Sequence, residues 1–212
     1  MICRDRRIIF VHVPKTGGSS IEDMIWPRPR KEEDLWAGAS HGRNKYQTGG
    51  LQHLNIRQIR QEVGSEIFES CYKFALIRDP VDRLVSQFNY LNKRKDLLRL
   101  LGLGTFRTFS KYLSRIQEVE HVQWTPQVDF LEDDSGTIIP ELFPLETLSS
   151  QFETLARKTG LRADAPLHSN ATLPRRVPFR WVTIRKDRIR RSDMNTIKKI
   201  YARDFERLGY KT

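Results

Sequence analysis

Cysteine is scarce: Cys3 and Cys71 are the only two in 212 residues. Two cysteines build neither a disulfide framework nor a zinc site, so a reducing compartment is the expected setting. Long apolar runs are missing as well. A membrane-spanning helix needs about 20 apolar residues in succession. The longest run near the start, Ile8-Ile9-Phe10-Val11, is cut off by His12. No signal peptide or anchor is expected ahead of it, and the expected setting is the cytoplasm, without a membrane span. There is no internal repeat, low-complexity tract or dividing linker, so a single domain over residues 1–212 is expected. Acid is in deficit: 26 Asp and Glu stand against 37 Lys and Arg, a formal net charge of +11.

Apolar side chains are sufficient. Hydrophobic residues make up 38% of the chain, with 11 Phe, 6 Tyr and 4 Trp, which excludes wholesale disorder. The length suits one α/β domain with a full core. The positive charge is uneven. From Arg175 to Arg191 eight basic residues (Arg175, Arg176, Arg180, Arg185, Lys186, Arg188, Arg190, Arg191) meet one acid, Asp187. Such a segment is either a solvated basic face or an attractor of phosphate- and sulfate-bearing partners, nucleic acid among them.

Residues 6–13 read as a buried strand, 14–20 as a Gly/Ser/Thr turn and 20–26 as a helix that Pro27 and Pro29 end. Residues 30–50 read as a surface loop. Asn55 caps a helix through Val63, with Ile56, Ile59 and Val63 on one face. A second strand, Tyr72–Ile77, leads to Asp79 as N-cap and Pro80 as first residue of a helix to about Asn92. Further helices are expected over 106–119, 151–159 (closed by Gly160) and 193–208 (closed by Gly209). Residues 138–145 read as an edge or broken strand, because of Pro140 and Pro144. Strand, turn, helix, twice over, is the grammar of an α/β fold with a mainly parallel sheet flanked by helices and ligands at the strands' carboxyl ends.

The turn Val13-Pro14-Lys15-Thr16-Gly17-Gly18-Ser19-Ser20 has the parts of an anion cradle. Gly17 and Gly18 admit close approach of backbone N–H groups, and the helix that follows presents its positive end. Lys15 adds a point charge, and the Thr and Ser hydroxyls add donors. It is not the G-x-x-x-x-G-K-[ST] loop of nucleotide triphosphatases, since Lys15 precedes the glycines and no magnesium-binding Asp strand follows. At the second strand, Arg78 sits on the carboxyl edge and Ser86 lies two helical turns on, a pair suited to a further phosphate.

Together the two segments resemble the sulfotransferases. The turn is similar to their 5′-phosphosulfate loop, and Arg78 with Ser86 to their 3′-phosphate motif. The branch resembled is the carbohydrate sulfotransferase group that includes heparan sulfate 2-O-sulfotransferase and its shorter bacterial relatives. Further matches are Gln52-His53-Leu54-Asn55, Pro126-Gln127-Val128-Asp129-Phe130-Leu131, His168-Ser169-Asn170-Ala171-Thr172, and the ending carried by Tyr201, Asp204, Phe205, Gly209 and Tyr210. Phe143-Pro144-Leu145-Glu146-Thr147-Leu148 departs from the family's aromatic stretch at Pro144.

The resemblance implies a P-loop-like three-layer fold and a donor, 3′-phosphoadenosine-5′-phosphosulfate (PAPS), with PAP as product and no metal. It implies a hydroxyl-bearing acceptor, a carbohydrate or glycan in this branch, with a lipid-linked sugar or small alcohol still open, and no nucleic acid as partner. Lys15 then stabilises the leaving oxygen, and Thr16, Gly17, Gly18, Ser19 and Ser20 cradle the 5′-phosphosulfate. Arg78 and Ser86 take the 3′-phosphate, and the loop with Asn170, Thr172 and Arg175 closes over the nucleotide. His53 is the expected base, with His41 as the alternative; His12, His121 and His168 are expected to pack or to lie at the periphery. Two other readings remain at this point: a P-loop-type small-molecule kinase, which needs magnesium ligands, and a basic nucleic-acid-binding module.

Overall fold

The computed structural model describes residues 1–26, 53–162 and 184–211. The expected loop at 30–50, with His41, and the 168–176 segment, with His168, Asn170, Thr172 and Arg175, lie outside the described residues. The strand expected over 6–13 is confined to β2 (Ile8–Val11), preceded by a two-residue strand β1 (Ile2–Cys3). Gly17, in the left-handed region at φ 89°, starts α1 (Gly18–Ile25). Asn55 caps α2 (Ile56–Val63) with a reciprocal box: its side chain accepts from Gln58 N–H, and the Gln58 side chain accepts from Asn55 N–H. Gly64 then separates a short helix, α3 (Ser65–Ser70), from α2.

β3 (Tyr72–Ile77) occupies its expected span, and α4 (Pro80–Lys93) starts where Asp79 and Pro80 require. The Asp79 carboxylate accepts from the N–H groups of Val81 and Asp82 at 2.9 and 3.0 Å. Next come α5 (Lys95–Leu100), α6 (Phe109–Glu118), α7 (Val128–Leu131), β4 (Glu141–Pro144) and α8 (Leu148–Thr159), which Gly160 closes at φ 66°. The single terminal helix expected from Asp193 is two helices, α9 (Arg191–Ile200) and α10 (Ala202–Arg207), parted at Tyr201. Tyr201 is 1% exposed and donates its hydroxyl to Trp124 C=O at 2.7 Å, and its non-helical ψ of 27° ends α9.

The chain is mixed α/β. The sheet order is β1-β2-β3-β4; β2–β3 and β3–β4 are parallel, and β1–β2 is antiparallel. Among the described residues β4 is the edge strand, a place that suits its Pro144. Among the described residues no helix is long and apolar enough to cross a membrane.

The described residues fall into two compact units, drawn from Met1–Arg78 with Gln127–Ser169 and from Asp79–Pro126 with Asn170–Thr212. In the first, alternate strand residues Ile8, Phe10, Phe74, Leu76 and Phe143 form one core with Ile21 and Ile25 of α1 and Phe152 and Leu155 of α8. Burying each such side chain contributes about 1.5–3 kcal/mol. In the second, Phe88 of α4 meets Phe109 and Tyr112 of α6 at ring distances of 5.3 and 5.4 Å.

Candidate functional site

The Pro14–Ser20 turn leaves β2 at its carboxyl end and enters α1. Lys15 has φ 67°, a left-handed conformation that costs a non-glycine residue roughly 1–2 kcal/mol. Arg78 Nη1 donates to the Lys15 carbonyl at 3.2 Å, which helps hold the turn in that shape. The two cationic residues named from sequence, one after each parallel strand, are therefore brought together. Arg78 is itself gripped. Its N–H donates to Gln127 Oε1 at 3.0 Å, and its C=O accepts from Gln127 Nε2 at 2.7 Å. Gln127 is fully buried. Sequence reading had noticed the Pro126-Gln127 step but gave it no task; a glutamine before the apolar residues of α7 was the available signal.

Each glycine answers a different need. Gly17 takes the positive φ; a Cβ there would also meet Leu145 Cδ1 at 2.9 Å. Gly18 has ordinary helical geometry, but a Cβ would sit 2.2 Å from Cδ2 and Nε2 of the His12 ring. Among the described residues no side chain caps α1, and no acid stands in its first turn, which leaves its positive end suited to an anion. Thr16 is buried, and its hydroxyl donates to Val13 C=O at 2.9 Å, closing the turn on itself. Its contribution toward an anion is therefore the backbone N–H rather than the expected hydroxyl proton. Ser19 is exposed and Ser20 half-buried.

His53 is buried just ahead of α2, its Nδ1 2.7 Å from the His12 carbonyl oxygen. A carbonyl only accepts, so Nδ1 carries a proton; in the neutral ring Nε2 is then the accepting nitrogen, the tautomer a general base needs. His12, expected simply to pack, does more. Its ring stacks on Phe10, its edge meets the His53 ring at 4.5 Å, and its Nδ1 lies 2.5 Å from Glu22 Oε1 of α1. Both partners are buried. The signal for Glu22 was an acid on the stripe Gly18, Ile21, Glu22, Ile25, which otherwise faces the core.

In the second unit Ser86 and Arg83 of α4 are both buried. Arg83 Nη2 donates to Thr125 C=O at 2.9 Å, and its guanidinium lies 5.9 Å from the Tyr201 ring centre. Lys186 Nζ bridges Asp79 (3.0 Å) and Asp82 (3.1 Å). Burial pulls the Lys186 ammonium down, but the two carboxylates outweigh it and hold the pKa above its ordinary value. Arg185 pairs with Asp187 on the surface, and Arg188, Arg190 and Arg191 are exposed as well. His121 is partly buried; its Nδ1 accepts from Gln123 N–H at 3.1 Å and its ring packs on Trp124. Burial lowers its pKa. Among the described residues no cluster of His, Cys, Asp and Glu is suited to a metal ion.

The site in the first unit is thus a glycine turn at an uncapped helix start, a lysine and an arginine beside it, and a histidine held as an acceptor. Anion binding and proton acceptance are the chemistry that groups of these kinds can supply. No curated protein and no solved structure matches the chain. The model of the sulfotransferase family does match, over residues 1–211, and a match that runs from the first strand to beyond the last helix places this chain in that family.

Proposed function

We propose that the protein moves a sulfuryl group from PAPS to an acceptor hydroxyl, with a carbohydrate as acceptor and without a metal. In that reading the acceptor oxygen attacks sulfur while the bond from sulfur to the bridging phosphate oxygen breaks, and PAP leaves with the bonding electron pair. Lys15 offsets the charge that grows on the bridging oxygen, and His53 Nε2 takes the acceptor's proton. The backbone of Thr16, Gly17, Gly18, Ser19 and Ser20 cradles the 5′-phosphosulfate. Arg78 binds the 3′-phosphate; for Ser86 the same task rests on the sequence resemblance alone, as does the P-loop-like three-layer arrangement. Positioning and electrostatics carry most of the catalysis in such a transfer, as they do in phosphoryl transfer.

The observation that supports this reading most is the Arg78–Lys15 hydrogen bond, which gathers two cations at an uncapped helix start. Family membership makes the kinase and nucleic-acid readings the weaker ones. Thermal unfolding in the presence of PAP, of ATP with magnesium, and of a mixed-sequence oligonucleotide separates the three. PAP at 100 times its dissociation constant should add about 2.7 kcal/mol of apparent stability. Stabilisation by magnesium-ATP alone would return the kinase reading, and stabilisation by the oligonucleotide alone the nucleic-acid reading.

A further inference from the structure

The buried Glu22–His12 contact is larger than core packing requires. Gly18 and Glu22 are one helical turn apart and face the same way from α1. Both meet the His12 ring: the glycine leaves room for it, since a Cβ would lie 2.2 Å from the ring, and Glu22 Oε1 lies 2.5 Å from its Nδ1, at ion-pair distance but without hydrogen-bond alignment. Phe10 stacks on the same ring at 5.3 Å. The ring is therefore fixed from the helix side and from the strand side. The backbone of that same residue supplies the carbonyl that His53 Nδ1 contacts at 2.7 Å, and the two imidazoles touch edge to face at 4.5 Å. A buried carboxylate is costly unless it is well partnered, and a leucine would fill the stripe of α1 at less cost.

We propose that Glu22 and His12 are positioning residues: their contact sets the floor of the glycine turn and holds His53 with its proton on Nδ1. The proposal rests on the reading of the turn as donor cradle and of His53 as base. Neither residue touches a reacting atom; both act through others. Glu22 orders the His12 ring. The ring supports the turn at Gly18, and its backbone carbonyl presents the acceptor that His53 needs. At metal sites, groups that orient the ligating side chains in this way are worth roughly 10–100-fold in affinity or activity when removed.

The test uses the full chain with labelled histidine nitrogens. Nitrogen chemical shifts report which nitrogen of His53 is protonated, and calorimetry reports PAP affinity. In the wild type His53 should be the Nδ1–H tautomer. In Glu22→Leu that tautomer should lose its dominance and PAP affinity should fall at least tenfold, whereas Glu22→Gln, which keeps the acceptor oxygen, should recover both. Should Glu22→Leu fail to fold, His12→Gln replaces it; it removes the ring but retains a group able to bond Glu22, and the same two losses are expected. A folded Glu22→Leu or His12→Gln protein with wild-type tautomer and PAP affinity would overturn the proposal and leave the pair as core packing. Absence of PAP binding in the wild type would instead count against the donor-cradle reading, and the His53 tautomer in the variants would still decide the positioning role.

Discussion

The Gln127 side-chain amide closes a two-bond ring on the backbone of Arg78, giving a hydrogen to its C=O at 2.7 Å and taking one from its N–H at 3.0 Å. A residue at the carboxyl end of a parallel strand has no strand partner for these groups beyond the ladder, and Gln127 supplies one. Replacing it by Leu leaves both Arg78 groups without that partner in a part-buried place. Stability should fall by about 2–3 kcal/mol, since each lost partner costs roughly 1–3 kcal/mol. Gln127→Leu should also weaken PAP, because Arg78 is no longer held. Denaturant midpoints and calorimetry measure the two effects; loss of stability with unchanged PAP affinity would separate Gln127 from the site.

Gly18→Ala inverts the usual rule. Alanine in a helix normally gains roughly 0.5–1 kcal/mol over glycine. Here the new Cβ meets the His12 ring at 2.2 Å, and that ring is pinned by Phe10 and Glu22. Overpacking of this kind costs about 1–3 kcal/mol. The expected outcome is a less stable protein with weakened PAP binding, read by thermal unfolding and calorimetry.

The start of α4 offers a ranking. Asp79 caps two N–H groups and also meets Lys186. Asp79→Ala should cost about 1 kcal/mol, in the range of N-cap losses. Lys186→Met should cost less, because the lysine is 43% exposed and exposed pairs are worth about 0–1 kcal/mol. Its effect should also fade in high salt. Chemical denaturation of both variants at low and high salt checks the order.

Stability should decline as pH falls below about 6.5, in part through His121. Burial lowers its folded pKa beneath the unfolded value of 6.5, so between the two values the unfolded chain binds the proton and the folded chain does not. This contribution is complete above 6.5 and is lost as pH drops toward the folded pKa. His121→Asn keeps an acceptor for Gln123 N–H yet does not titrate. The variant's stability should therefore depend less steeply on pH than the wild type's over that window, and equal slopes would remove His121 as a cause.

Local rules were legible in the residues themselves. Five apolar and aromatic residues around Lys73 set β3, Asn55 set the start of α2, Asp79-Pro80 set α4, and Gly160 closed α8. Contacts made only in three dimensions were not. β1 is two residues long and exists because Ile2 and Cys3 pair with Ile9 and Ile8. The break at Tyr201 comes from a hydroxyl reaching Trp124, which helical periodicity does not encode. Within the site, Lys15, Arg78 and His53 could be named because their types and neighbours imply anion and proton chemistry. The tasks of Gln127, His12 and Glu22 could not be read, since their partners lie on other elements of the sheet unit.

The proposed donor is tested most directly by calorimetric titration of the full chain with PAP in EDTA, beside Arg78→Ala titrated with PAP and with adenosine 5′-phosphosulfate, which lacks the 3′-phosphate. The wild type should bind PAP without a divalent metal. Arg78→Ala should lose about 10–100-fold for PAP, the worth of one charge-assisted contact of roughly 1.5–3 kcal/mol, and far less for adenosine 5′-phosphosulfate. A strict magnesium requirement, or equal losses for both ligands, would contradict the assignment of a metal-free PAPS site with Arg78 on the 3′-phosphate.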